Sequence, residues 1–182
     1  MLKKTIKNDT LRGLIEWVIA IAVAVLLYFV CTTFLFQVAT VDGASMNPTL
    51  AHNERVIVNQ LAYRFSEPQI GDIIAFPPSG DTGMTYVKRI VATPGDTIDF
   101  YNMRFFVNGE IAGGEMFDYD TRDSGNHHFP LIIPDEYYFV LGDNRNNSSD
   151  SRNISIGLIH RDQITGRIRT RIWPINEMGR IR

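Results

Sequence analysis

Two side chains in this sequence could form a proton-transfer pair. Ser45 lies in Gly43-Ala44-Ser45-Met46-Asn47-Pro48-Thr49-Leu50, and Lys88 lies in Tyr86-Val87-Lys88-Arg89-Ile90-Val91-Ala92. A serine hydroxyl is a poor nucleophile until a base takes its proton. A free lysine, with a pKa of about 10.4, is too fully protonated near neutrality to serve as that base. Burial changes this, because desolvation disfavours the ammonium and lowers its pKa by several units. On an extended strand Tyr86, Lys88, Ile90 and Ala92 share one face, with Val87, Arg89 and Val91 on the other. Lys88 therefore keeps apolar company. On pattern alone the commoner reading is a lysine whose stem lies along a sheet edge with its head in water, and the two readings stay open at this level.

Other nucleophile and metal chemistries fail on residue type. His52, His127, His128 and His160 form no HExxH arrangement, and Ser45 is not in a G-x-S-x-G elbow. Adjacent His127 and His128 in a polar stretch read as solvated surface, while His52 is close enough to Ser45 to keep a Ser–His pairing open. The segment Gly142-Asp143-Asn144-Arg145-Asn146-Asn147-Ser148-Ser149-Asp150-Ser151-Arg152 is dense in small polar groups. It lacks the glycine at position six and the glutamate at twelve of an EF-hand loop. It reads either as a solvated turn or as a hydrogen-bonded shell that orients an amine and a charged neighbour. Cys31 is the only cysteine, so neither an internal disulfide nor a cysteine metal site can form. No metal and no cofactor are expected.

Around these residues the chain changes character once. Trp17 to Phe36 is twenty residues without a charge, enough to cross a hydrocarbon core of about 30 Å as a helix. A secretory signal has a shorter apolar core of roughly 7–15 residues. Nor does a small-x-small pair follow cleanly, since cleavage after Ala39 or Ala44 would set Gln37 or Asp42 three positions back. A retained anchor is expected, with residues 1–12 a basic cytoplasmic tail, 13–36 the transmembrane helix and 37–182 an extracytoplasmic domain. Lys3, Lys4, Lys7 and Arg12 against Asp9 leave the first twelve residues at +3, so the remainder carries −5 of a net −2. Clustered basic residues before a span stay in the cytoplasm. The overall balance gives no electrostatic reason to expect nucleic acid.

Beyond the span come short alternating runs at 55–59, 72–76, 85–91, 104–107 and 137–141, separated by Pro/Gly/Asn/Asp turn signals. Asn108-Gly109 is the strongest hairpin signal. A mainly β domain is expected, with an exposed polar loop or small excursion over 110–128 and an amphipathic closing strand after Ile159.

Taken together, Ser45 through Leu50, Tyr86 through Asp96, and Gly142 through Arg152, in this order behind an N-terminal span, resemble the bacterial type I signal peptidases. These are membrane-bound serine proteases with a Ser–Lys dyad. Gly71-Asp72 and Trp173-Pro174 fit the same pattern, which covers residues 37–182. The resemblance implies a single N-terminal transmembrane helix followed by a signal-peptidase-like β catalytic domain whose apolar surface lies against the membrane. It implies Ser45 as nucleophile, Lys88 as general base, and Ser148 as a hydrogen-bond partner of the lysine amine. It implies an ion pair of Asp150 with Arg89, supported by Asp143, Arg145 and Arg152. Val41, Met46, Leu50, Tyr86 and Val87 match positions lining the substrate pockets, and the Ser45 backbone N–H is an oxyanion donor. The implied substrates are preproteins bearing a signal peptide, cut after small-x-small sequences such as Ala-x-Ala. The implied partners are the lipid bilayer and the protein export machinery.

Two positions depart from that pattern. Gly43 stands where some members carry a serine whose hydroxyl helps hold the oxyanion, so the second donor near Gly43 is unassigned. Asn146 stands where an acidic residue is common. The link between Asp96 and Gly142 is too short for the large second β domain of some relatives. A non-catalytic membrane-tethered β domain that binds exported peptides is the alternative from a different class. A soluble self-cleaving repressor of the wider superfamily would need a DNA-binding domain where this chain has its apolar span.

Overall fold

The computed structural model describes residues 2–78, 85–112 and 128–181. It divides between Phe36 and Gln37 into two units. The first is dominated by a single helix, α1 (Leu2–Phe34). Its stretch Leu11–Phe29 has a mean hydropathy of 2.0 with nothing packed over it, long and apolar enough to cross a membrane. Beyond the Arg12–Glu16 pair, its side chains from Trp17 to Phe29 carry no charge and form no polar face, which suits lipid on every side. The helix differs from the expected boundaries at both ends. The basic segment before residue 13 is helical too, and Phe36 already begins a strand.

The second unit is built on strands β1 (Phe36–Thr40), β2 (Arg55–Asn59), β3 (Ile73–Phe76), β4 (Tyr86–Ala92), β5 (Thr97–Tyr101), β6 (Arg104–Val107), β7 (Glu110–Ile111), β8 (Leu131–Ile132), β9 (Tyr137–Leu141), β10 (Ile159–His160), β11 (Gly166–Trp173) and β12 (Gly179–Arg180). A large sheet runs β1-β2-β11-β3-β4-β9-β10, with β12 paired to β11; a smaller one runs β7-β6-β5-β8. The smaller sheet occupies the link between Asp96 and Gly142. Its β6–β7 hairpin turns on Asn108-Gly109, with φ of 52° and 87° and Val107 opposite Glu110. Positive φ at both central residues is the geometry that matches the twist of two paired strands.

The runs at 55–59, 104–107 and 137–141 are strands as expected, while those at 72–76 and 85–91 each begin one residue later. Glu110 and Ile111 form a strand of the small sheet, and residues 113–127, most of the expected loop or excursion, lie outside the described residues. Two expectations are corrected. The amphipathic strand after Ile159 does not close the sheet. As β11 it pairs with β2 on one side and β3 on the other, so it sits inside the sheet. Finally, β4 does not alternate to its end. A register shift between Ile90 and Ala92 against β9 inserts an extra residue, as a β-bulge does, and Ala92 joins the apolar cluster of Val91 instead of that of Ile90.

Alternation elsewhere divides apolar side chains between clusters. Ile73, Ala75 and Val87 pack with Val41, Met46, Leu50, Val56 and Ile168. Ile74, Phe76 and Ile90 pack with Tyr63, Tyr138, Val140 and Ile159. Phe139 and Leu141 leave the large sheet to meet Ile98, Phe105 and Val107 of the small one, so the two sheets share a core.

Candidate active site

Ser45 lies in the turn-rich segment between β1 and β2, and Lys88 lies on β4. They meet: Lys88 Nζ is 2.9 Å from Ser45 Oγ and also donates to Val87 O at 3.0 Å. Lys88 is only 4% exposed. Burial draws its pKa down from the usual lysine range to about 8, opposed by the carboxylates of Asp150 and Asp143 and helped by the Arg152 cation. The Tyr86 ring, two residues back on the same face, has its centroid 5.3 Å from the amine. A buried amine that gives up its proton near pH 8, in contact with a hydroxyl, can exchange a proton with it.

The frame comes from β9. Leu141 pairs with Arg89 on β4, so the chain leaving β9 passes directly beside Lys88. Gly142 is placed so that a Cβ would run into Ser148 Oγ and lie 2.5 Å from Ser45 O. Only a residue without a side chain allows that approach. Gly142 N–H donates to Asp150 at 2.9 Å. Two residues on, Asn144 also holds the serine: its N–H donates to Ser45 O at 2.9 Å, and its Nδ2 donates to Ala44 O at 3.0 Å.

The buried charges are wired differently from the implied scheme. Arg89 bonds Asp143 through Nε and Nη2, both at 2.8 Å, and donates to Gly71 O through Nη1. Asp150 pairs instead with Arg152, at 2.7 Å and 2.8 Å. The register explains the exchange. Asp143 follows two residues after the cross-strand partner of Arg89, whereas Asp150 finds its cation two residues along its own loop. Arg145 is buried, which lowers its pKa to about 10, and donates to Ala112 O at 3.4 Å.

Ser148 also departs from its implied role. Its Oγ is buried against Gly142 and makes no hydrogen bond among the described residues, while the amine bonds Ser45 Oγ and Val87 O. Asn146 is exposed, so the residue type there bears on nothing buried.

A cavity of about 180 Å³ opens beside Ser45 and Lys88, lined by Val41, Met46, Tyr86 and Val87 together with Asp42, Thr85 and Ser149. Leu50 is not among the lining residues. Its N–H donates to Met46 O, closing a turn that directs the side chain into the core, where it is fully buried. Gly43 has φ of +86° and gives its N–H to His52 Nδ1 at 3.1 Å. His52 is thus bound to the backbone before Ser45 and not to the serine hydroxyl. His128 is exposed, and His127 lies outside the described residues.

The sequence reading missed Asn144 as a contact of the serine. Its partner is 100 positions away, and the only signal was the density of polar residues from Gly142 to Arg152. It also missed Asp42, Thr85 and Ser149, which immediately flank or lie near motif residues but carry no pattern of their own.

Among solved structures, a signal peptidase I from Enterococcus faecalis V583 superposes with a TM-score of 0.46 at 29% identity, covering 56% of this chain and 97% of that one. Signal peptidase I S of Bacillus subtilis (strain 168) is 40% identical over 179 residues, covering 92% of this chain and 93% of its own. Signal peptidase IB of Staphylococcus aureus (strain N315) is 34% identical over 181 residues, covering 91% and 93%. The family model described as signal peptidase, peptidase S26, matches residues 14–173. With the family model matching most of the chain and both relatives aligned over nearly their full lengths, this protein belongs to the signal peptidase family, peptidase S26.

Proposed function

We propose that this chain is a membrane-anchored serine endopeptidase that removes signal peptides from exported preproteins, with Ser45 as nucleophile and Lys88 as general base. The observation that carries it is the 2.9 Å contact between Lys88 Nζ and Ser45 Oγ, with the amine buried and its pKa near 8. When neutral, the amine accepts the hydroxyl proton as Ser45 Oγ attacks the scissile carbonyl carbon. The resulting ammonium then returns that proton to the departing amine, leaving an acyl-enzyme. Water repeats the sequence with the acyl group leaving Ser45. The negative charge on the carbonyl oxygen is met by the Ser45 N–H. Gly43 N–H is already given to His52, so a second donor must come from another group.

The cavity of about 180 Å³ beside the dyad has room for the side chains of a small-x-small sequence. β4 pairs with β9 only from Arg89 onward. On that side Tyr86 to Lys88 keep an edge against which an extended peptide can add, its backbone giving affinity and alternate side chains giving selection. The helix α1, with basic residues before its apolar stretch, supports an anchor whose N-terminus is cytoplasmic and whose catalytic unit is extracytoplasmic. There it would meet preproteins delivered by the export machinery at the bilayer surface.

The test is cleavage of a peptide containing an Ala-x-Ala site by the full chain in detergent micelles. Ser45→Ala and Lys88→Ala should each abolish turnover, and Lys88→Arg should too, because a guanidinium stays protonated. Full activity in Lys88→Ala would remove the Ser–Lys mechanism.

A further inference from the structure

Two successive carbonyls at the nucleophile are held by the same residue. Asn144 donates its N–H to Ser45 O at 2.9 Å and its side-chain amide to Ala44 O at 3.0 Å. Ala44 O belongs to the same peptide unit as Ser45 N–H. That unit is planar and trans, so its oxygen and hydrogen point in opposite directions, and fixing one fixes the other. Asn47 N–H, at 3.2 Å, is the other donor to Ala44 O. The Ser45 N–H itself donates to nothing among the described residues, so it is available to a bound group.

Asn144 is in turn firmly seated. It follows Asp143, which is buried in its pair with Arg89, and it precedes the buried Arg145. Two residues before it, Gly142 abuts Ser45 O.

We infer that Asn144 is a positioning residue for the oxyanion. By holding the Ala44 carbonyl it aims the Ser45 N–H at the charge that develops during attack, without touching substrate. The inference rests on the reading of Ser45 as nucleophile. Loss of one oxyanion donor costs about 10²–10³ in kcat, and a donor that is present but no longer held should cost part of that.

The experiment compares wild type, Asn144→Ala and Asn144→Asp as full chains in micelles, using an Ala-x-Ala peptide and a peptide boronate that forms a tetrahedral adduct on serine. The aspartate keeps the asparagine's size but has no amide hydrogens to give, so it carries the test if the alanine variant fails to fold. The expected result is a kcat lower by about 10- to 100-fold with KM within about threefold. Boronate affinity should fall by a similar factor, and in Asn144→Ala the pH midpoint of the acid limb should stay where it is in the wild type; the carboxylate of Asn144→Asp moves it upward by its own charge. A kcat within about threefold of wild type, a loss carried equally by KM, or a displaced midpoint in Asn144→Ala would each overturn the inference. Ser45→Ala, run alongside, separates the two levels. Cleavage that survives Ser45→Ala defeats the nucleophile assignment, whereas an inactive Ser45→Ala with unimpaired Asn144 variants defeats only the role of Asn144.

Discussion

Activity should climb with pH through an acid limb set by Lys88. Burial brings the lysine from 10.5 to about 8, a change of about 3 kcal/mol in the balance between ammonium and amine. At pH 7 about one molecule in ten then carries the neutral amine, against roughly one in three thousand for an unperturbed lysine. Between pH 6 and pH 8 the neutral fraction rises by about fiftyfold, and kcat/KM should rise with it. The assay is initial-rate cleavage of an Ala-x-Ala peptide by the full chain from pH 5.5 to 9.5 at constant ionic strength. The kcat profile should have its midpoint below that of kcat/KM, because a bound apolar peptide removes further water from the amine. The same shift affects stability with a definite sign. Between about 8 and 10.5 the unfolded chain holds a proton that the folded chain has released, so unfolding free energy rises with pH across that window. Below about 8 the folded state bears the cost of a buried ammonium in full. A kcat/KM that is flat between pH 6 and 8, or whose acid limb lies near pH 4, would refute a lysine base and point to a carboxylate.

Further outcomes follow from the packing. Gly142→Ala puts a Cβ 2.5 Å from Ser45 O, and since both neighbours are pinned, kcat should fall at least about tenfold with a loss of about 1–3 kcal/mol in denaturant unfolding. Asp143→Ala leaves the guanidinium of Arg89, 11% exposed, without its bidentate carboxylate, and should cost about 3–5 kcal/mol in the same measurement. Leu50→Ala should lower stability by about 2–5 kcal/mol. Steady-state kinetics should show its KM unchanged, because the side chain belongs to the core and not to the cavity.

Local pattern carried much of this site. Alternation gave β4 as a strand, put Lys88 with Tyr86 and Arg89 on the opposite face, and the Asn108-Gly109 dipeptide fixed a hairpin. What alternation cannot supply is the partner across the sheet. The family resemblance gave Arg89 an acidic partner, but its choice of Asp143 over Asp150 depends on the register of β4 with β9. The bulge after Ile90 depends on that pairing as well, as does the closeness of Gly142 to Ser45. Leu50 misled for a related reason: its motif position suggested the pocket, while a single turn from Met46 directs it into the core. The Asn144 contact joins two polar loops with no periodicity in either, so nothing local pointed to it.

The position of β11 bears on when the site comes into being. Ser45 is carried by the β1–β2 side of the sheet and Lys88 by the β3–β4–β9 side, and these two halves are joined edge to edge through residues 166–173. Ser45 and Lys88 are both made before the strand that joins their sides of the sheet. Such non-local pairing must wait for its final partner. A chain not yet made as far as residue 166 therefore carries serine and lysine without a common sheet to bring them together. On the proposed mechanism, cleavage by a nascent chain should begin only once β11 is in place, and the order of translation should keep the unfinished sheet silent.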